Sequence, residues 1–118
     1  MIAVIDRDRL TAYGLALLLR DWGYQSVTGI SAEEIFGRTE AQGRRIAAIV
    51  ADDRPEDGST GEEEAAALTA LADRSIPIIV LATGGGHGGE AGGVARIPKP
   101  IEPFRLRDLL RTMVTLSP

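Results

Sequence analysis

The sequence contains no cysteine, which excludes disulfide bridges, thiolate metal centres and cysteine nucleophiles. Aromatic residues make up 4% of the 118 residues, so any core has to be built from Ile, Leu, Val and Ala. His87 is the single histidine, and no second histidine or cysteine can join it as a ligand. An excess of basic charge is also missing. The net charge is -4 and the isoelectric point is near 5.0, which argues against direct nucleic-acid binding. No apolar run approaches the ~18 residues of a membrane span, and the start of the chain lacks the layout of a signal peptide. The expectation is a cytoplasmic protein, or the cytoplasmic module of something larger, with no membrane insertion. The chain is long enough for one domain, residues 1–118, with a real core.

What is present alternates between two patterns. Ile2-Ala-Val-Ile5 is a short apolar run suited to a strand buried on both faces. Asp8 can cap a helix running to about Trp22 and stopping at Gly23, a residue suited to a left-handed C-terminal cap. Leu10, Gly14, Leu17, Leu18 and Asp21 recur at helical spacing and predict a face that is polar only at its last position. Residues 24–28 read as a second strand. Ser31 with Glu34 forms a capping box for a short helix to about Ala41. A turn at 43–45 leads to a third strand, 46–51. Thr60 can cap an alanine-rich helix, 62–73, whose first turn carries acids where the helix dipole favours them. Residues 77–82 and 94–97 read as two more strands. Pro103 starts a last helix, with Phe104, Leu106, Leu109, Leu110 and Met113 apolar and Arg105, Arg107 and Arg111 polar.

Strands alternating with helices predict an α/β fold. The expected architecture is flavodoxin-like, a (βα)5 three-layer sandwich with parallel sheet order 2-1-3-4-5. Residues 84–93 break the alternation. Seven of these ten are glycine, and each lowers helix stability by up to ~1 kcal/mol relative to Ala. The fourth helix is therefore expected to be missing or replaced by a glycine-rich loop, with His87 exposed within it.

In such a sheet, ligands bind beyond the carboxyl ends of the strands, at the switch point between the first and third. Those ends carry Asp6, with Asp8 just beyond, and Asp52. Crowded carboxylates repel unless a cation compensates, and Mg2+ takes such oxygens. One carboxylate can then attack a phosphoryl group. Lys99 can pair with the phosphoryl oxygens, and the Thr83 hydroxyl can donate to one of them. Each acid alone could be an ordinary charged strand end; the set at one sheet edge is what points to chemistry.

These residues resemble the receiver domains of bacterial two-component signalling, over the whole chain. Val4-Ile-Asp-Arg-Asp8 looks like the acidic motif of the first strand. Residues 52–61 look like the phosphoacceptor segment, and Ile76 to Thr83 like the fourth strand. Lys99-Pro100 is similar to the Lys-Pro pair that usually has a cis peptide. Residues 19–24 are reminiscent of receivers attached to hybrid sensor histidine kinases. The resemblance implies that Asp52 accepts phosphate from a histidine kinase or phosphotransfer protein and that Asp6 and Asp8 form the acidic pocket. It also implies that Asp6, Asp52 and the Arg54 backbone carbonyl ligate Mg2+, and that Thr83 and Lys99 sense the phosphoryl group. A downstream protein target follows, and a homodimer is compatible with it. Such a domain is not an enzyme on external substrates.

Three departures matter. Arg7 stands where receivers place a second acid, so metal binding is expected to be weak or absent; the guanidinium either pairs with an acid or turns to solvent. The hydroxyl position at the end of the fourth strand falls on Ala82 or Thr83. Arg96, three residues before Lys99, replaces the aromatic residue common there. Together with the missing helix they support a second reading, a phosphorylation-independent interaction module. A third, phosphate binding by the loop after Thr83, lacks the Gly-Lys-Ser/Thr ending of a P-loop.

Overall fold

The computed structural model describes residues 1–53, 61–82, 89–91 and 94–116. The Arg54 carbonyl, the Thr60 cap, Thr83 and His87 lie outside the described residues. The strands are β1 (Ile2–Ile5), β2 (Ser26–Gly29), β3 (Ala48–Asp53), β4 (Ile78–Ala82), β5 (Gly89–Ala91) and β6 (Val94–Pro98). The helices are α1 (Arg9–Asp21), α2 (Ala32–Arg38), α3 (Gly61–Ala72) and α4 (Pro103–Leu116).

The sheet order is β2-β1-β3-β4-β6-β5. The first five of these run parallel, which is the expected 2-1-3-4-5 arrangement when parallel strands alone are counted. No helix separates β4 from β6 among the described residues. Part of the glycine-rich segment instead forms the short strand β5, antiparallel to β6. That edge strand is an addition to the expected loop.

The strands β1, β3 and β4 are buried on both faces, as their unbroken apolar runs require, whereas β2 and β6 alternate buried and half-buried residues. Ala3, Ile5, Ile49, Ala51 and Val80 pack with Ile35 of α2 and Ala65 and Leu68 of α3. Ile2, Val4, Ala48, Val50, Ile79, Leu81 and Ile97 pack on the other face with α1 and α4. Residues alternate between the two faces along each strand, the period-two geometry of a pleated sheet. This alternation decides where the charged residues at the strand ends point.

Helix boundaries follow local chemistry. Asp8 caps α1 by accepting from the Leu10 and Thr11 N–H groups, and Gly23 follows its end with φ 92°. Ser31 accepts the Glu34 N–H, at 3.2 Å. The helix it opens ends at Arg38, short of Ala41, because Thr39 leaves helical geometry (φ -130°) and a 3-10 turn, Glu40–Gln42, takes over.

Two apolar faces differ from expectation. The side of α1 that meets the sheet is Ala12, Leu15 and Leu19, whereas Leu10 is 80% exposed and Leu17 42%. A leucine-rich helix offers two apolar stripes at the same spacing, and the sheet takes the one with the small Ala12. In α4, Leu106 and Leu110 are fully buried but Phe104 is 61% exposed. Its ring lies 4.8 Å from the Arg107 guanidinium carbon, a cation–π contact at the surface.

Candidate functional site

The parallel register opposes Ile5 to Ala51, so the next residues, Asp6 and Asp52, leave neighbouring strands side by side. The ladder supports both. The Asp6 N–H donates to the Gly29 carbonyl at 3.0 Å, and Asp52 is opposite Leu81 in β4. The residue pattern places Asp52 on the α1/α4 side with Ala48 and Val50, and Asp53 on the α3 side with Ile49 and Ala51. Two adjacent acids are thereby sent to opposite faces.

Lys99 arrives from the end of β6. Its N–H donates to the Ala82 carbonyl at 2.9 Å, and the Lys99–Pro100 peptide is cis. Its ammonium contacts the Asp52 carboxylate directly. The Asp52 side chain is 1% exposed and that of Lys99 25%. The pair therefore sits at the carboxyl ends of the strands with its cation toward solvent. Asp6 is also buried, and its Oδ1 accepts the Asp8 N–H at 2.8 Å. Two buried carboxylates and one ammonium leave an acidic nest able to receive an electrophile and hold its charge.

The other named residues are placed as follows. Asp8 turns to the helix: its Oδ1 accepts from Leu10 N–H at 3.0 Å and Thr11 N–H at 3.3 Å, and its Oδ2 from the Thr11 hydroxyl at 3.0 Å. Arg7 is exposed, and Lys99 places a cation on Asp52. Ala82 ends β4 opposite Pro98. A groove of about 290 Å3 opens beside Asp6, lined by Arg9, Tyr13, Thr28, Glu34 and Arg38 among others; Asp52 and Lys99 do not line it.

Sequence reasoning missed two features here. β3 runs on through Asp53, and Arg96 forms an ion pair with Glu62 in the first turn of α3. Strand alternation carried two residues further would have separated Asp52 from Asp53. The Arg96–Glu62 pair, 34 residues apart in sequence, leaves no local signal.

No family model and no curated protein matches the sequence. Solved structures do. A response regulator receiver protein from Sinorhizobium medicae WSM419 superposes with TM-score 0.75 at 15% identity, covering 99% of this chain and 95% of that one. The receiver domain of the hybrid histidine kinase CckA gives 0.69 at 22% identity, covering 96% and 97%. The receiver domain of a sensor histidine kinase from Pseudomonas aeruginosa PAO1 gives 0.68 at 21% identity, covering 97% and 96%; it was solved with magnesium coordinated in its active site cleft. This chain has the receiver-domain fold.

Within the receiver fold the chain is divergent. It carries an arginine at position 7, has an arginine at position 96 paired to α3, and places the short strand β5 between β4 and β6. Among the described residues no helix is long and apolar enough to cross a membrane.

Proposed function

We propose that the chain is a phosphoacceptor receiver in two-component phosphorelay signalling, with Asp52 as the acceptor. The observation that carries this reading is the Lys99 ammonium on the buried Asp52 carboxylate, beside Asp6 at the switch point of the sheet. A carboxylate oxygen of Asp52 attacks the phosphorus of a phosphohistidine on a histidine kinase or phosphotransfer protein. The P–N bond breaks as the P–O bond forms, and the electron pair returns to the imidazole, which takes up a proton. Lys99 then faces a phosphoryl group carrying roughly two negative charges. That added charge biases the fold toward a state with a different affinity for a downstream protein target. Asp53 has the same chemistry but faces the other side of the sheet, away from Lys99.

Mg2+ fits this site poorly. Asp6 and Asp52 would hold it, and it would screen the charge of the incoming phosphoryl group; two carboxylates with water can suffice for Mg2+. Among the described residues no third acid is supplied to tighten the site. Asp8 spends both oxygens at the start of α1, position 7 is a cation, and Asp52 already contacts Lys99. No group of three metal-ligating residues occurs among the described residues. The expected result is weak affinity, and tight micromolar binding in a calorimetric titration would contradict it.

The test of function is incubation with acetyl phosphate and Mg2+, followed by intact mass. One phosphoryl group gained by the wild type and by Asp53→Ala, and lost in Asp52→Ala, supports the reading. Wild type with no gain favours the second reading, a phosphorylation-independent interaction module on the same fold. The commitment of Asp8 to the helix cap and Arg7 beside it are the observations on that side.

A further inference from the structure

Asp53 ends β3 and Gly61 begins α3, and the acids at these two places, Asp53 and Glu62, both act on Arg96 of another strand. Arg96 lies on β6, on the face of the sheet that Asp53 and α3 share, by the alternation that sends Ala95 and Ile97 inward. Its guanidinium contacts Glu62, the second residue of α3. The hydrogen bond to Glu62 and its charge, and then Asp53, hold the Arg96 pKa above its ordinary value against desolvation. Next to Glu62, Gly61 is pressed on Asp52 itself: a Cβ built there would collide with the Asp52 carbonyl oxygen. The start of α3 therefore has no slack against the acceptor residue. A shift of Glu62 toward the sheet would press Gly61 on the Asp52 backbone.

The geometry points to Arg96 as a positioning residue for Asp52: by binding Glu62 beside Asp53, it fixes the start of α3 and hence the acceptor backbone from the face opposite Lys99. Lys99 orients the carboxylate on one side of the sheet and Arg96 steadies its strand end from the other. This rests on the phosphoacceptor reading for its consequence, but the clamp itself can be measured without phosphorylation. Both partners are more than a third exposed. Removing either is therefore expected to loosen the contact without unfolding the domain.

The experiment uses the full chain as wild type, Arg96→Gln, Glu62→Gln, the double Gln variant and Arg96→Lys. Two rates are read: amide hydrogen exchange at residues 65–68 and 95–97, and phosphoryl uptake from acetyl phosphate. Arg96→Gln and Glu62→Gln should each speed exchange at those amides roughly two- to fivefold, and the double variant should add little to either. Phosphoryl uptake should fall about tenfold with the melting temperature nearly unchanged, and Arg96→Lys should recover most of it. Unchanged exchange in Arg96→Gln overturns the clamp. Faster exchange with unaltered uptake overturns its role toward Asp52. If the wild type takes up no phosphoryl group, the phosphoacceptor reading fails and the role toward Asp52 fails with it, while exchange still decides the clamp.

Discussion

The two ends of the sheet each hold a carboxylate against a cation, and they are built differently. At the amino ends of the strands, Glu40 meets Arg74 in a two-point fork, with Nε to Oε1 at 3.1 Å and Nη2 to Oε2 at 2.8 Å. Glu40 also accepts the Ile46 N–H at 2.7 Å, and Arg74 donates to the Ile46 carbonyl at 2.7 Å. The pair ties the 3-10 turn to the chain entering β3 and to the end of α3. At the carboxyl ends, Asp52 meets Lys99, a point charge on a flexible stem, with a second buried acid, Asp6, on the neighbouring strand. The first arrangement is matched to itself; the second sets two buried carboxylates beside one ammonium. One end holds the fold, and the other is where the proposed phosphoryl transfer would take place.

If that contrast is right, neutralising an acid should lower stability at the amino end and not at the carboxyl end. The larger effect is at the amino end. Glu40→Gln loses the charge-assisted fork and should lower unfolding free energy by about 2 kcal/mol, a drop of roughly 8 °C in melting temperature, measured by denaturant and thermal unfolding. The same variant should alter the acid limb. The Arg74 hydrogen bond, backed by the Ile46 N–H and the charges of Arg74 and Arg45, holds the Glu40 carboxyl below its ordinary value of 4.5, against desolvation. A depressed folded value means the contribution is complete above the unfolded value and is lost as pH falls below it through the folded one. Stability of the wild type should therefore drop more steeply below about pH 5 than that of Glu40→Gln. The smaller effect is at the carboxyl end: Asp52→Asn relieves repulsion with Asp6 and should leave stability unchanged or raise it by about 1 kcal/mol. A loss of stability in Asp52→Asn equal to that of Glu40→Gln would erase the distinction.

The legible parts of the fold were those with local causes. The strand runs, the Asp8 and Ser31 caps and Gly23 all depend on residues a few positions apart, and they set the element order and hence the sheet. Asp6, Asp52 and Lys99 were legible because the order of a parallel sheet fixes which strand ends meet. The buried face of α1 was not, because Leu10 and Leu17 and the pair Leu15 and Leu19 satisfy the same helical period, and only tertiary packing chooses. Phe104 was misassigned for a similar reason: an aromatic at the first turn can lie on an arginine as well as in a core. The strand β5 had no signal, since glycine has weak preference for a strand and its pairing with β6 is a property of the sheet edge. Arg74–Glu40 and Arg96–Glu62 join residues 34 positions apart, and nothing nearby announces either.

The central claim is that Asp52, and not its neighbour Asp53, is the acceptor, because of these two only Asp52 shares its face with Lys99. The direct measurement is to label the protein with acetyl phosphate, reduce the acyl phosphate with borohydride, and locate the resulting homoserine by peptide mass spectrometry. The account predicts homoserine at position 52. Homoserine at position 53, or none in either position, would contradict it.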